Sequence, residues 1–552
     1  MINTSAQYKQ GIRTLPVQQH TLSAMIEFAD GSVTAYLTQA NFLEGSMQVT
    51  NQLANSGNVC VGTAYIGSLE CTLIMDGIPY DSLRKAVLTL SMTVWVGNTY
   101  EEMPLGRYTI SSATLTDEGI KITAYDDMAK FDKDLVFPSN TTRTKTAYEW
   151  YIFICNQCSV AQSSRMTQQY FVDTFWCGNA NLALYQNTGD VVTWRGLVAK
   201  LSQMLCAYAV VDRYGNLVIV PANVYAQTSE YLLDTAAIID SFSIADYHLK
   251  FGGFYCKLAP NGKDRYYGYS PDGCAYMQYE VLPAEKAEVN EKINYYTNEI
   301  SAYHDKIHQA QQDWMAGKIS EQEMARLVHR YEDEIYSLTQ RKTQCEDEVD
   351  EIDAEISYYQ AHSNPLYADA LNMNFGYNPF INSFTKAQKW DLATAIMQIV
   401  FTPFEYTMVG DYGYELGDPV YIDASAGTFG IVMAYTIDEY CVKIECFGAQ
   451  GELQSAKAIE QSKIQGIANN VTNLENQMNE VFQSVSSGKD ELAAAITGKG
   501  VTTYSDDTFA DMATNILKIQ TGGGKPYKLE EYEASSDTIK TGEITEVYNV
   551  NQ

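Results

Sequence analysis

Residues Ile293–Trp314 read INYYTNEISAYHDKIHQAQQDW, and their apolar positions recur at alternating spacings of three and four. This is the heptad spacing of a helix that packs along one apolar seam. After Ala316-Gly317-Lys318 the same spacing resumes and continues to Tyr359. Because so few residues separate the two series, the sequence predicts an antiparallel coiled-coil hairpin, roughly 40 to 50 Å long at 1.5 Å per residue. Its main seam residues are Ile293, Ile300, Ile307, Ile335, Leu338, Val349, Ile352 and Ile356.

Short strands are predicted on both sides of this hairpin, which occupies residues 281–362. In residues 1–137, alternating apolar runs are separated by turn signals such as Asp30-Gly31 and Asp117-Glu118-Gly119. Strand spacing of this kind is typical of a barrel or a sandwich. We expect strands at 24–28, 32–37, 59–65, 71–75, 86–96, 106–111 and 119–124. A second β region, 209–280 and 363–450, is interrupted by the hairpin, with further strands expected at 414–423, 428–435 and 440–447.

A small helix-rich domain is predicted between the two β regions, at residues 138–208. Tyr148–Cys158 and Trp194–Tyr208 have helical apolar spacing. The chain then returns to strand over Val210–Val220, around the turn Arg213-Tyr214-Gly215-Asn216. The whole chain is therefore expected to be a multidomain α+β protein.

Another heptad helix is predicted at residues 451–488. Its seam residues alternate by three and four, and many are β-branched, which favours three or more strands over two. We therefore expect a parallel homotrimeric stalk. The oligomerisation residues are Ile464, Ile467, Val471, Leu474, Met478, Val481 and Val485. Residues 489–552 are short and turn-rich, with Gly522-Gly523-Gly524 as a linker.

The overall composition narrows the classes of function. The 552-residue chain carries 68 acidic and 37 basic residues, a formal charge of −31 that repels nucleic-acid phosphates and argues against sequence-specific nucleic-acid binding. The 11 cysteines are odd in number and widely scattered, which indicates folding in a reducing cytoplasm rather than a disulfide scaffold. No apolar stretch approaches the roughly 20 residues of a spanning helix, so we expect a soluble protein without a membrane span.

The search for catalytic and metal-binding motifs yields weak candidates. Gly268–Gly273 resembles a nucleophile elbow but misplaces its final glycine. Cys155 and Cys158 form a CxxC, and two cysteines three apart on an apolar helix face are more often core residues than zinc ligands. His304, His308 and His329 could form a metal clip across the hairpin, but polar flanking positions of a coiled coil explain them as well.

The adjacent Asp126 and Asp127 could suggest acid–base chemistry. On an extended strand neighbouring side chains point to opposite faces, so these two cannot easily share a substrate. We expect them instead to end a strand or to cap the following helix, Met128–Phe131. We predict no catalytic residue, no cofactor and no metal, and that the protein is not an enzyme.

Several segments resemble the tail-tip, or baseplate, hub proteins of bacteriophages. The most specific is Ile122–Asp132 (ITAYDDMAKFD), which is similar to the strand-to-helix corner of that family. Met25–Gly31 (MIEFADG) and Pro104–Ile110 (PLGRYTI) resemble strands of its first barrel. Further likenesses to the first barrel, the small middle domain, the second barrel and tail-fibre proteins are Leu43–Met47, Ile66-Gly67-Ser68, Trp194–Leu197, Tyr214–Ile219, Tyr414–Ile422, Gly430–Met433 and Gly500–Ala513.

This resemblance implies a structural adaptor at the tail tip of a virion or phage-like particle, assembled in the host bacterial cytoplasm. The resemblance implies a homotrimer with two β-barrel hub domains per chain, at 1–137 and at 209–280 with 363–450. The six barrels of the trimer would form a pseudo-sixfold ring. Its implied partners are distal tail or tail-tube proteins, the tape-measure protein, and fibre or spike proteins. The hairpin departs from the usual family pattern, and no cell-wall hydrolase is recognisable after residue 488.

Two alternatives remain open from the sequence. One is a tail-associated cell-wall hydrolase, which would need zinc ligands or a nucleophile set that the motifs do not supply. The other is a receptor-binding adhesin that touches the host through the hairpin or the acidic C-terminal segment. The hub and adhesin roles can coexist in one chain.

Overall fold

Residues 2, 4–14, 19–29, 34–54, 59–75, 80–96, 99–139, 141–186, 188–222, 239–423, 428–448, 454–455, 488–505 and 507–519 are described by the structure, a computed structural model. The chain divides into two compact units, Met1–Ile467 and Ala468–Gln552. The predicted stalk residues 464–485 lie outside the described residues, so the trimer stalk stays a prediction.

The strands and helices are numbered here in chain order. The strands are β1 (Gln19–Glu27), β2 (Thr34–Thr38), β3 (Gln48–Gln52), β4 (Ser68–Leu73), β5 (Val87–Val96), β6 (Thr99–Thr116), β7 (Gly119–Asp126), β8 (Thr144–Thr146), β9 (Ala161–Gln162), β10 (Asn181–Ala183), β11 (Ala207–Val211), β12 (Asn216–Pro221), β13 (Ile239–Ile244), β14 (Leu249–Lys257), β15 (Asp264–Gly268), β16 (Leu371–Tyr377), β17 (Val400–Phe401), β18 (Phe404–Val409), β19 (Pro419–Asp423), β20 (Thr428–Ile431), β21 (Ala434–Asp438), β22 (Cys441–Cys446) and β23 (Gln454–Ser455). The α-helices are α1 (Ala6–Thr14), α2 (Ala147–Cys158), α3 (Gln168–Thr174), α4 (Trp194–Met204), α5 (Pro271–Tyr276), α6 (Leu282–Met315), α7 (Glu321–His362), α8 (Lys386–Met397), α9 (488–498) and α10 (Phe509–Leu517).

Strands from both predicted β regions join in one antiparallel sheet of eleven described strands. Its order is β13-β18-β22-β21-β3-β4-β7-β6-β5-β1-β2. The junction is the pairing of β3 with β21, where Asn51 lies opposite Tyr435. After β2, Phe42 forms a single antiparallel bridge with Leu73 of β4. Because β2 and β4 are distant in the strand order, this bridge shows that this part of the sheet curls.

The prediction of two separate barrels therefore differs from the observed arrangement, in which no closed barrel is found among the described strands. The physical reason is that β3 uses both of its edges: β4 pairs with one and β21 with the other. A strand whose two edges pair with strands of different regions joins these regions into one sheet, so neither region closes into a barrel of its own.

The alternation of side chains explains how the sheet packs. Along β5, Leu88, Leu90, Met92 and Val94 are buried, whereas the residues between them are half-buried or exposed. One face of the sheet therefore carries the core, and the other is polar, as expected for an antiparallel sheet with one wet face.

The predicted strand at 59–65 is wrong. Val59, Cys60 and Val61 are buried, but this segment crosses β11 with individual hydrogen bonds and one bridge, between Ala64 and Ala209. Gly62 interrupts any strand there because its φ is +86°, a backbone conformation that an extended strand does not adopt. Likewise, only Pro419–Asp423 of the predicted strand 414–423 is a strand.

The predicted helix-rich region contains α2, α3 and α4. Capping explains where the helices begin: Thr146 accepts a hydrogen bond from the Glu149 backbone N–H, and Thr193 from that of Gly196. Helix α4 packs against β11, which pairs antiparallel with β12, and α2 contacts both α3 and α4. Helix α1, which the sequence did not predict, buries Tyr8 and Ile12.

The long hairpin is inserted into a second sheet. Strand β14 pairs antiparallel with β15 and parallel with β16, and the chain runs from β15 through α5, a π-helical turn (Met277–Val281), α6 and α7 before it reaches β16. Helix α8 packs against β14 and β15. None of the described helices is long and apolar enough to cross a membrane.

In the second compact unit, α9 and α10 share a small apolar core. Its buried residues are Ala493, Ile496 and Met512. Thr508 caps α10 by accepting from the Asp511 backbone N–H, and the Asp511 side chain reciprocates.

Candidate functional site

The residues singled out for chemistry lie in structural positions. Cys155 and Cys158 are buried free thiols on α2, and burial raises the pKa of each to about 12. Ser270 is the N-cap of α5 and accepts hydrogen bonds from Tyr266 Oη (2.9 Å) and Asn372 Nδ2 (3.0 Å). A buried hydroxyl with these partners positions a helix.

The three hairpin histidines are exposed and make separate contacts. His308 Nε2 lies 3.1 Å from Gln312 Nε2, and His329 Nδ1 lies 3.9 Å from Asp333 Oδ1. Within the described ranges, no group of three or more His, Cys, Asp or Glu side chains could hold a metal ion.

The corner at Asp126 matches the capping role predicted for it. Its carboxylate accepts from the backbone N–H of Met128 (3.0 Å) and of Gly67 (2.9 Å), so it fixes the end of β7 and the turn that follows. Burial raises the pKa of Asp126 to about 8. Asp127 points elsewhere and pairs with Arg107 (2.9 Å) and Lys130 (2.8 Å).

A buried ion pair connects this corner to the helix-rich middle region. The Arg195 guanidinium of α4, 1% exposed, donates through Nε to Asp132 Oδ1. It also donates to the Ala64 carbonyl at 3.3 Å. Arg195 therefore ties α4 to the first part of the large sheet.

A second buried arginine, which sequence reasoning treated only as part of a turn, connects three regions. Arg213 donates to the carbonyls of Pro104 (3.1 Å), Tyr412 (2.7 Å) and Tyr414, and its guanidinium lies 5.0 Å from the Tyr435 ring centroid. A buried cation that donates to three backbone carbonyls couples the β11–β12 turn to both parts of the large sheet. The only sequence signal was an arginine at the start of a tight turn.

The large sheet offers two edges and one polar face. One residue from each strand lies in a continuous cross-strand register, which we call the outer row. Seven of its eleven members are Ser or Thr, and only two are charged. The row is Ser241, Thr407, Lys443, Thr436, Thr50, Ser68, Tyr125, Thr109, Val87, Glu27 and Thr34. No described strand pairs with the outer edge of β2 or of β13.

Edge strand β13 is unusually open to solvent. Residues 240–244 are all exposed, and Phe242 exposes 65% of its surface. An edge of this kind presents backbone N–H and C=O groups that another strand can use. The edges and the outer row are therefore candidate contact surfaces.

The hairpin is held at its root by polar and aromatic contacts. Arg265 of β15 pairs with Glu285 of α6 and with Glu355 of α7, and Lys386 of α8 lies 3.0 Å from the same Glu355. The Tyr359 hydroxyl donates to the Tyr266 carbonyl. The root, which also includes an aromatic cluster around Trp390, joins both helices to the second sheet.

The predicted seam residues lie between α6 and α7. All eight are buried or half-buried. Lys286 Nζ lies 2.6 Å from Asp353 Oδ1, and the Tyr303 and Tyr331 rings are 5.8 Å apart. Residues early in α6 thus meet residues late in α7, which makes the pair antiparallel.

Protein-family models and curated proteins provide no match to this chain. The geometry described above consists of contact surfaces: two sheet edges, a polar outer row and a long two-helix hairpin.

Proposed function

We propose that this chain is a structural hub at the tip of a phage-like tail, a homotrimer that connects the tail tube to the central fibre or spike. The single observation that supports it best is the large sheet. Two β regions far apart in sequence form one sheet, and the corner that resembles the hub family, Ile122–Asp132, begins in its strand β7 and continues into the 3-10 turn Asp127–Phe131. An adaptor needs such a continuous frame to transmit contacts between its two ends.

The exposed edges support an oligomeric role. If β13 of one copy pairs with β2 of the next, each copy contributes both of its edges to head-to-tail contacts, which form a ring when the rotation between copies closes. The two strands have similar lengths, six and five residues. The two edge strands together carry one charged residue, Asp240, which allows copies with a formal charge of −31 to approach there.

The remaining parts of the proposal extend from the same assembly. Residues 464–485 would form the trimeric stalk, and α6–α7 would form a coiled coil in the strict sense. Partners would be tail-tube, tape-measure and fibre proteins. The protein would lie at the virion tail tip and act without enzymatic chemistry.

Electron microscopy of purified particles tests the proposal. An antibody against residues 489–552 should decorate the end of a tube capped by a threefold ring. Decoration along the tube or on the head would contradict the hub role. Zymograms on host cell walls should be blank, and a lytic band would instead favour the hydrolase alternative.

A further inference from the structure

Two large apolar side chains lie exposed at the end of the hairpin. In the heptad series of α6 and α7, Trp314 exposes 41% of its surface, whereas all the remaining members are buried or half-buried. Its neighbour Met315, the last residue of α6, is 70% exposed. Both precede the link Ala316-Gly317-Lys318, so they lie at the outermost turn.

The same end of the hairpin is electrically balanced. We define the tip as residues 304–330, beyond the Tyr303–Tyr331 ring pair. The tip contains four acidic and four basic residues, whereas the rest of the two helices, 282–303 and 331–362, contains fourteen acidic and four basic. In a chain of formal charge −31, the tip is thus a region without net charge.

The size of the exposed apolar surface indicates what can cover it. A stable protein interface buries about 800 Å² on each partner, far more than two side chains at the end of a narrow hairpin supply. Trp is one of the two side chains enriched at membrane–water interfaces, and binding strength there scales with the apolar area that is buried. Lys318 Nζ, held 2.8 Å from Asp313 Oδ1, adds no net charge there.

We propose that the hairpin tip is a lipid-contact site that inserts Trp314 and Met315 into the interfacial layer of a bilayer. The ligand is a zwitterionic phospholipid surface, and the acidic remainder of the hairpin stays outside it. This assignment stands independently of the hub proposal, because it depends only on the tip.

Flotation of the full chain with phosphatidylcholine vesicles tests the proposal. The wild-type chain should float, and the double variant Trp314→Ala/Met315→Ser should partition at least tenfold less. The matched control is Tyr295→Ala/Tyr336→Ser, which removes two side chains that are 60% and 68% exposed on the same helices below the tip. The control should float like the wild type.

A second measurement locates the insertion. Brominated phosphatidylcholine should quench the part of the wild-type tryptophan fluorescence that comes from Trp314. The variant Trp314→Phe, which retains binding, should lack this quenching. Adding phosphatidylglycerol should weaken flotation at low salt, because the chain is strongly anionic. Absence of wild-type flotation, equal flotation of the tip variant, or tighter binding to the anionic vesicles would overturn the proposal. Tip-dependent self-association without lipid binding would reassign the tip to a second copy.

Discussion

At the scale of single residues, buried charges connect the parts of this molecule. Arg195 and Asp132 form an ion pair that is almost fully buried, and Arg213 is surrounded by backbone carbonyls from two other regions. Such groups are costly to bury and are tolerated only when paired. Removing one partner is therefore far more harmful than losing an exposed charge.

We expect Asp132→Asn to lower the free energy of unfolding by about 3 to 5 kcal/mol, because it leaves the Arg195 cation buried without its counter-charge. Urea unfolding measures this. Asp134→Asn is the matched control, since Asp134 is exposed two residues away and should change stability by less than about 0.5 kcal/mol. Equal effects of the two substitutions would contradict the assigned role of the ion pair.

Lys200 gives a pH-dependent prediction. Its ammonium group is buried and donates to the Phe375 carbonyl at 2.8 Å, and burial lowers its pKa from 10.5 to about 8. Between these values the unfolded chain binds more protons than the folded chain, so stability rises with pH across this window and is lost as pH falls through about 8.

Relative to Lys200→Met, the wild type should therefore gain about 3 kcal/mol of stability between pH 8 and pH 10.5. The measurement is the difference between urea unfolding curves of the two chains across this range. Taking the difference between the two chains removes the contribution of the other titrating groups, which both chains share. Parallel pH dependence of the two chains would show that Lys200 keeps its ordinary pKa.

At the scale of secondary-structure elements, the hairpin and the sheets are held differently. Helices α6 and α7 pack on each other along the seam and join the second sheet at the root, through Arg265, Tyr359 and their partners. The hairpin should therefore lose structure locally while the sheets keep theirs.

Leu338→Asp should remove the protection of α6 and α7 amides against hydrogen exchange, because it places a charge in the half-buried seam. Amides of β5 and β6 should remain protected. Tyr336→Asp introduces the same charge at a position that is 68% exposed and should leave the hairpin protected. Loss of protection throughout the first unit in Leu338→Asp would mean that the hairpin is not an independent element.

At the scale of the whole molecule, the proposed trimer depends on the predicted stalk heptads. The purified chain should be a trimer by light scattering, and Ile467→Asp/Leu474→Asp should release monomers, because six buried charges would lack partners. Asn469→Asp/Asn476→Asp adds the same charge off the seam and should remain trimeric. A stable wild-type monomer would rule out the trimeric stalk.

The amino-acid sequence by itself determined the local features of this protein. The hairpin seam, the strands β5 and β7 and the cap at Asp126 depend on periodicity and on neighbours a few residues apart, which a linear pattern contains. The predicted strand at 59–65 was wrong because an apolar run also suits a buried crossing segment, and Gly62 adopts a left-handed conformation there.

Only the tertiary structure decided how the β regions combine. The pairing of β3 with β21 joins strands from opposite ends of the first unit, and nothing in either strand identifies the other. The partners of Arg213 are likewise not identifiable from the sequence, because its acceptors are backbone carbonyls, which every residue carries. Local patterns specify elements, whereas partners distant in sequence are selected by packing and register, and for this reason two expected barrels became one sheet.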